Sequence, residues 1–366
     1  MKIVTIIGAR PQFIKASSLS KKIIELQGSG KDISEVIINT GQHYDKNMNE
    51  LFFSELQIPK PKYNLNIGGL THGVMTGRMI EEIEKILINE NPECIVVFGD
   101  TNSTLAGAIA ASKLNIEIAH IESGLRSNNF AMPEELNRII TDRLSSFLFC
   151  PSNKAILNLK KEGIDHWCQN PKYYNSGDIM KDCIELYRQY MKKPTNIDLD
   201  NNEFILCTIH RAENTNNLLK LNEIFESLRN ISKFHYIILP LHPRTKKIIK
   251  ANNIDYSGIQ LIDPVGYLEM IWLLNNSKIV ITDSGGLQKE AYFLKKFCIT
   301  IRSETEWTEL VDHKLNIVTD TSKDKIVKAL EYFSSTKNSV ENFEDNLYGP
   351  GRASEIILDK LLERYG

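Results

Sequence analysis

The stretch Lys2-Ile3-Val4-Thr5-Ile6-Ile7-Gly8-Ala9-Arg10-Pro11-Gln12-Phe13-Ile14-Lys15 carries the fold in miniature. Its first half is a short β-branched apolar run that meets Gly8 and Arg10 too soon to be the core of a secretion signal. Gly8 permits a tight turn, and Pro11 suits the first turn of a helix. The unit is therefore strand, turn, helix. It recurs down the chain, with strands predicted over residues 35–40, 94–99, 116–121 and 147–150, and helical patterns over 74–89 and 103–114. These strands are almost continuously apolar, as expected when both faces of a sheet are covered. Such alternation implies right-handed crossovers and a parallel sheet.

Residues 192–202 are polar and rich in Pro, Asn and Asp, and read as a linker or loop. The pattern then restarts, with strands over 204–209, 236–241, 259–262, 279–282 and 297–301. The fold class is α/β with two Rossmann-like domains, residues 1–190 and 191–350. Residues 351–366 carry one more helix, which local sequence attaches to neither domain.

A chain of 366 residues exceeds one ordinary core, in keeping with two domains. Its 42% hydrophobic and 25% charged residues are those of a soluble globular protein. No uncharged apolar run approaches the ~20 residues of a membrane span. With a net charge of -2 and no basic run, neither nucleic acid nor a membrane is an expected partner. Cys94, Cys150, Cys168, Cys183, Cys207 and Cys298 are scattered, without a C-x-x-C pair or a His cluster. Reduced core thiols in a cytoplasmic protein are expected, not disulfides or zinc ligands.

Open α/β sheets keep their ligands beyond the carboxyl ends of strands, and the unusual residues gather there. Arg10 and Lys15 either face a phosphate at a helix N-terminus or are solvated cations beside a turn. Gly8 stands alone, so the G-x-G-x-x-G dinucleotide fingerprint is missing. Asp100, after Phe98-Gly99, reads as a helix cap as readily as a site acid. Glu122, ionisable and directly after an apolar strand, favours a site role. Glu134 and Glu135 follow Pro133 at a helix start, where acids also complement the macrodipole. In the second half, His210-Arg211 and His242-Pro243-Arg244 follow strands as anion-site candidates. The sharpest signal is Ile281-Thr282-Asp283-Ser284-Gly285-Gly286-Leu287-Gln288-Lys289-Glu290. Here a strand runs into Ser-Gly-Gly and a helix, exposing backbone N–H groups at a positive helix terminus. Two glycines at that point favour close approach of a ligand over plain capping. Glu290 lies one to two turns in, where a carboxylate can take ribose hydroxyls.

In chain order, Gly8-x-Arg10-Pro11 with Lys15, Gly99-Asp100-Thr101, His120-x-Glu122-x-Gly124-Leu125-Arg126, Pro133-Glu134-Glu135-x-Asn137-Arg138, His210-Arg211 and Thr282-Asp283-Ser284-Gly285-Gly286 resemble the non-hydrolysing UDP-N-acetylglucosamine 2-epimerase family. Each motif is weak alone, but the set in order is specific and spans essentially the whole chain. The resemblance implies a glycosyltransferase-B fold, an active site in the cleft between two domains, a homodimer, a UDP-sugar substrate and no cofactor or metal. It implies catalytic roles for Asp100, Glu122, Glu134 and His210. Arg10, Lys15, Ser284, Gly285, Gly286 and Glu290 would hold the UDP and sugar. Residues 8–16, 41–45, 211–215 and 305–307 are similar to one subgroup, the UDP-2,3-diacetamido-2,3-dideoxyglucuronate 2-epimerases of surface-polysaccharide pathways. Two departures stand out. Trp307 replaces a phosphate-side arginine common in UDP-GlcNAc enzymes, and the Arg-Gln pair of an allosteric site is missing near residues 68–72.

C2 of a UDP-hexosamine is not α to a carbonyl, so its proton must be made removable. Transient oxidation by NAD needs a dinucleotide site, which the missing fingerprint argues against. Elimination of UDP, leaving a 2-acetamidoglycal, needs a base, a second proton donor and stabilisation of the departing diphosphate. A uronate substrate would also need a cation for its C6 carboxylate, for which Arg126, Arg138, Arg211 and His242 are candidates. The rival readings are the parent UDP-GlcNAc to UDP-ManNAc epimerase, a UDP-sugar glycosyltransferase, a hydrolysing epimerase and a nucleotide-sugar binding module.

Overall fold

The computed structural model describes residues 1–366 except 43–54, 57, 196, 198–202, 242, 336–342, 344 and 345. The chain forms two compact units: Met1–Leu186 together with Leu347–Gly366, and Tyr187–Asn346. The first holds strands β1 (Lys2–Ile7), β2 (Ser34–Asn39), β3 (Tyr63–Asn64), β4 (Cys94–Phe98), β5 (Glu117–Ile121), β6 (Phe147–Cys150) and β7 (Lys172–Asn175). They lie in the order β3-β2-β1-β4-β5-β6-β7, all parallel. The second holds β8 (Phe204–Thr208), β9 (Tyr236–Pro240), β10 (Ile259–Ile262), β11 (Ile279–Thr282), β12 (Phe297–Thr300) and β13 (Asn316–Val318). Their order is β10-β9-β8-β11-β12-β13, again all parallel.

Both sheets are doubly wound. The strand order reverses between β1 and β4 in one and between β8 and β11 in the other, which opens a crevice at each carboxyl edge. The central strands earn their place by composition: Ile3, Val4, Ile6 and Ile7 are all fully buried, and Cys94-Ile95-Val96-Val97-Phe98 is buried throughout. Helix Asn102–Lys113 packs on them with small residues, Ala106, Ala108, Ala110 and Ala111, against Ile6, Val97 and the Met79-Ile83-Leu87 stripe of helix His72–Glu90.

Three strands were invisible to apolar patterning: β3, β7 and β13. All three are sheet edges of two to four residues, where one side faces no further strand and polar residues are tolerated. The final helix, Ala353–Tyr365, belongs to the first unit. Asp182 accepts the N–H groups of Ala353 and Ser354 at 3.1 and 2.7 Å, and the Ser354 hydroxyl meets that of Ser18 at 3.0 Å. Among the described residues no helix is long and apolar enough to cross a membrane, and no group of three or more His, Cys, Asp or Glu is placed to hold a metal ion.

Candidate active site

The first crevice is built by its loops before any acid enters it. Gln12, buried in helix Arg10–Gly28, accepts the N–H groups of Gly8 and Ala9 at 2.9 and 3.1 Å. Its amide nitrogen donates to the Phe98 carbonyl at 2.8 Å and to the Thr101 and Thr104 hydroxyls at 2.9 Å. One side chain thus locks the loop after β1 to the loop after β4. Gly8 is needed for space: a Cβ there would collide with the hydroxyls of Thr40 and Ser103. Arg10 is the first residue of its helix and half-buried.

Asp100 does not cap the following helix. That role falls to Thr101, whose hydroxyl accepts from the Thr104 N–H at 3.3 Å. The Asp100 carboxylate instead pairs with Arg138 at 2.6 Å, and the Asn137 amide holds its carbonyl at 2.8 Å. Arg138 also binds Glu135 at 2.7 Å. Glu135 in turn accepts the N–H groups of Ser127 and Asn128, both at 2.9 Å, at the start of helix Pro133–Leu144. Burial raises the Glu135 pKa, but these donors and Arg138 outweigh it and leave it below the ordinary carboxylate range. Glu135 therefore ties the Ser127–Asn128 loop to the helix start, and its neighbour Glu134 stands exposed.

Glu122 and Lys15 form a buried ion pair. The pair lies against Gly99: a Cβ there would stand 3.2 Å from the Glu122 carboxylate and 3.6 Å from the Lys15 ammonium. Gly99 is left-handed, with φ +62, so any side chain there would be strained as well as crowded. Glu122 itself is held at φ 74, a conformation that costs a non-glycine residue roughly 1–3 kcal/mol and clusters at functional sites. Lys15 thus meets an acid of its own unit.

Behind these acids runs a buried charge chain. His120 Nδ1 and Asp142 Oδ1 are 2.7 Å apart, and His120 Nε2 reaches the Gly99 carbonyl at 2.8 Å. Asp142 Oδ2 accepts the Gly124 N–H at 3.1 Å and pairs with Arg126 at 2.8 Å. Arg126 closes the chain on Glu162 at 2.6 and 2.9 Å. Of the candidate cations for a uronate, Arg126 and Arg138 each already meet two carboxylates, and His242 lies outside the described residues. Arg211 remains.

Burial raises the Asp142 pKa, yet the hydrogen bond and charge of His120, with Arg126, hold it below its ordinary value. Its stabilising contribution is complete above the unfolded value of about 3.9 and fades as pH falls through the depressed folded value. Asp142→Asn should cost on the order of 3 kcal/mol at pH 7, because buried cations lose their partner. That cost should shrink in melts taken towards pH 3. A difference unchanged across this range would remove the carboxylate's charge from the account.

The second unit presents its own crevice. Asp283, fully buried after β11, accepts the N–H groups of His210 and Arg211 at 3.1 and 3.0 Å and the Asn214 amide at 3.1 Å. It ties the loop after β8 to the loop after β11 and leaves the His210 ring about half exposed. Ser284 caps helix Gly285–Phe293, accepting from the Leu287 N–H at 3.4 Å. A Cβ on Gly286 would meet nothing within 4 Å, whereas one on Gly285 would collide with Glu306 and come within 3.8 Å of Arg211. Glu290 is buried in the same helix. Trp307 braces the turn: its indole N–H donates to the Gly285 carbonyl at 2.8 Å, and the buried Lys289 ammonium sits 4.0 Å from its ring.

Sequence reasoning missed Gln12, Glu135, Asp142 and Asp283 as site builders. Their signal was faint but present: Glu135, Arg138 and Asp142 recur at helical spacing on one buried face. It also misplaced Cys168, which is exposed and not a core thiol. Burial pushes the thiols of Cys94, Cys150, Cys183 and Cys298 up to about 12, so these four are unreactive.

Two doubly wound units of this kind define a glycosyltransferase-B-like enzyme, with paired acids at one crevice and a glycine-rich helix start at the other. The chain belongs to the UDP-N-acetylglucosamine 2-epimerase family, whose sequence model matches residues 25–362. Enzymes of this type are isomerases. The chain is 51% identical to the UDP-2,3-diacetamido-2,3-dideoxy-D-glucuronate 2-epimerase of Pseudomonas aeruginosa, over 99% of both chains. Among solved structures it is similar to the UDP-GlcNAc 2-epimerase of Methanocaldococcus jannaschii in complex with UDP-GlcNAc and UDP. The identity there is 42% and the TM-score 0.87, over 100% of both chains. The Neisseria meningitidis enzyme bound to UDP-GlcNAc gives a TM-score of 0.87 at 30% identity, over 99% of this chain and 100% of that one.

Proposed function

We propose that this protein is a non-hydrolysing UDP-sugar C2 epimerase acting on UDP-2,3-diacetamido-2,3-dideoxyglucuronate, for surface-polysaccharide synthesis, as a homodimer in the cytoplasm. The observation that carries the reading is the pair of carboxylates at adjoining strand ends, Glu122 and Asp100, each salt-bridged to a buried cation. Removing a proton from one face of C2 and returning one to the other asks for such a pair. A plain phosphate-binding module has no use for it.

One carboxylate takes the C2 proton while the C1–O bond breaks, and its electron pair leaves with UDP. The product is a 2-acetamidoglycal. A proton then returns to the opposite face of C2, and the β-phosphate oxygen re-adds at C1. Asp100, Glu122 and Glu134 serve the sugar. Ser284, Gly285, Gly286 and Glu290 hold the UDP, with Arg10, Lys15 and His210 contributing at the diphosphate and sugar. Arg211 is the part-exposed cation that fits a substrate anion near Gly285.

The uronate is preferred to UDP-GlcNAc on three grounds: the 51% identity to the Pseudomonas aeruginosa enzyme, Trp307 where UDP-GlcNAc enzymes commonly carry an arginine, and the missing Arg-Gln pair near residues 68–72. A carboxylate met by an Arg is worth roughly 1.5–3 kcal/mol, or about 10–100-fold in kcat/KM. Proton NMR of each UDP-sugar with enzyme in deuterated water is the test. The expected result is loss of the C2 proton signal, growth of the manno epimer and no free sugar. Equal efficiency on UDP-GlcNAc would return the enzyme to the parent activity, and release of free sugar would make it hydrolytic.

A further inference from the structure

Glu162, Arg126, Asp142 and His120 form a largely buried hydrogen-bonded chain that ends on a backbone carbonyl, that of Gly99. Gly99 directly precedes Asp100, and His120 lies two residues before Glu122. Asp142 also takes the Gly124 N–H, two residues beyond Glu122, and it shares a helix with Glu134. One carboxylate is therefore bonded to the backbone beyond Glu122 directly and to the backbone before Asp100 through His120. His120 is fully buried and touches no open face of the crevice, so it contributes through what it holds.

The hydrogen-bond complement orients the ring. A carbonyl oxygen only accepts, so Nε2 carries a proton towards Gly99. Nδ1 faces Asp142, which two further donors, the Gly124 N–H and Arg126, also address.

We propose that His120 is a positioning residue for this site: a buried ring, held by Asp142, that fixes the left-handed Gly99 turn and thereby the aim of Asp100. The inference rests on the epimerase reading for its kinetic test. Misplacing a reacting group by about 1 Å costs on the order of 10²-fold in rate, so a residue with no access to substrate can control kcat.

Two substitutions separate positioning from bulk structure. In His120→Gln the amide nitrogen reaches about as far as Nε2 and keeps the bond to Gly99. In His120→Asn the amide reaches only as far as Nδ1, keeping Asp142 and releasing Gly99. Both remove the ring. His120→Asn should lower kcat about 10–100-fold with KM and UDP affinity little changed, and His120→Gln should recover most of that loss. Equal damage in the two variants, or a loss of kcat that follows Tm in both, overturns the proposal. Nitrogen-15 spectra of His-labelled protein read the arrangement without turnover. The signals absent from His120→Asn should include an Nε2 that carries its proton to the Gly99 carbonyl, and a bare Nε2 overturns it too. Should those spectra hold while the wild type exchanges no C2 hydrogen on any UDP-N-acetylhexosamine, the epimerase reading alone falls.

Discussion

Asp100→Asn, Glu122→Gln and Glu134→Gln are each expected to lower kcat by at least ~10²-fold, the usual scale for a general acid or base, while UDP affinity persists. The three should differ sharply in stability. Glu134 is exposed, so its substitution should change stability by no more than about 0.5 kcal/mol. Removing the Asp100 charge leaves Arg138 with Glu135 still at 2.7 Å, so the cost is modest. Glu122→Gln strands Lys15 in a buried site, which costs on the order of 3–5 kcal/mol. Adding Lys15→Met should restore much of that stability without restoring turnover. Kinetics and melts on the same preparations check this order. Near-normal turnover in any one variant would reduce that acid to a structural role.

Gly286→Val is expected to abolish UDP binding with the fold intact. The first N–H groups of helix Gly285–Phe293 have no partner within the helix and point out of its start. A diphosphate would take two such charge-assisted bonds at roughly 1.5–3 kcal/mol each, so blocking both costs about 10²–10⁴-fold in affinity. The Cβ position at Gly286 is open, with nothing within 4 Å, so the folded unit has room for the substitution there. Gly285→Val serves as the contrast, because its Cβ must push Glu306 off Arg302 and so reads out as lost stability. Undiminished UDP affinity of Gly286→Val in calorimetry would sink the phosphate-cradle assignment.

What sequence made legible here follows from the range of the forces involved. Strands β1, β4 and β11 announce themselves because burial on both faces forces a local composition. The edges β3, β7 and β13 carry no such demand and were missed. The site residues were visible where chemistry and strand end coincide, as at Glu122 and Ser284. Their partnerships were not: Lys15 lies 107 residues from Glu122, and Arg138 lies 38 from Asp100. Arg126 and Arg138 looked like available cations because an ion pair leaves no trace in either partner's neighbourhood. The division of labour between Thr101 and Asp100, and between Glu135 and Glu134, was equally hidden. In each pair both residues are chemically able to take the backbone N–H groups, and only the fold selects one.

The place of the final helix sets a timetable for synthesis. Residues 347–366 complete the unit begun by residues 1–186, and the whole of Tyr187–Asn346 lies between them. At roughly 5–20 residues per second, a ribosome needs about 8–32 s to make those ~160 intervening residues. Throughout that interval Ser18 on the first helix and the edge of Phe147 wait without Ser354 and Tyr365, the groups that later cover them. The unit Tyr187–Asn346 is one continuous piece and can finish first. The acid-bearing half, though made first, closes last, and a nascent chain is most exposed to chaperones and proteases on that side.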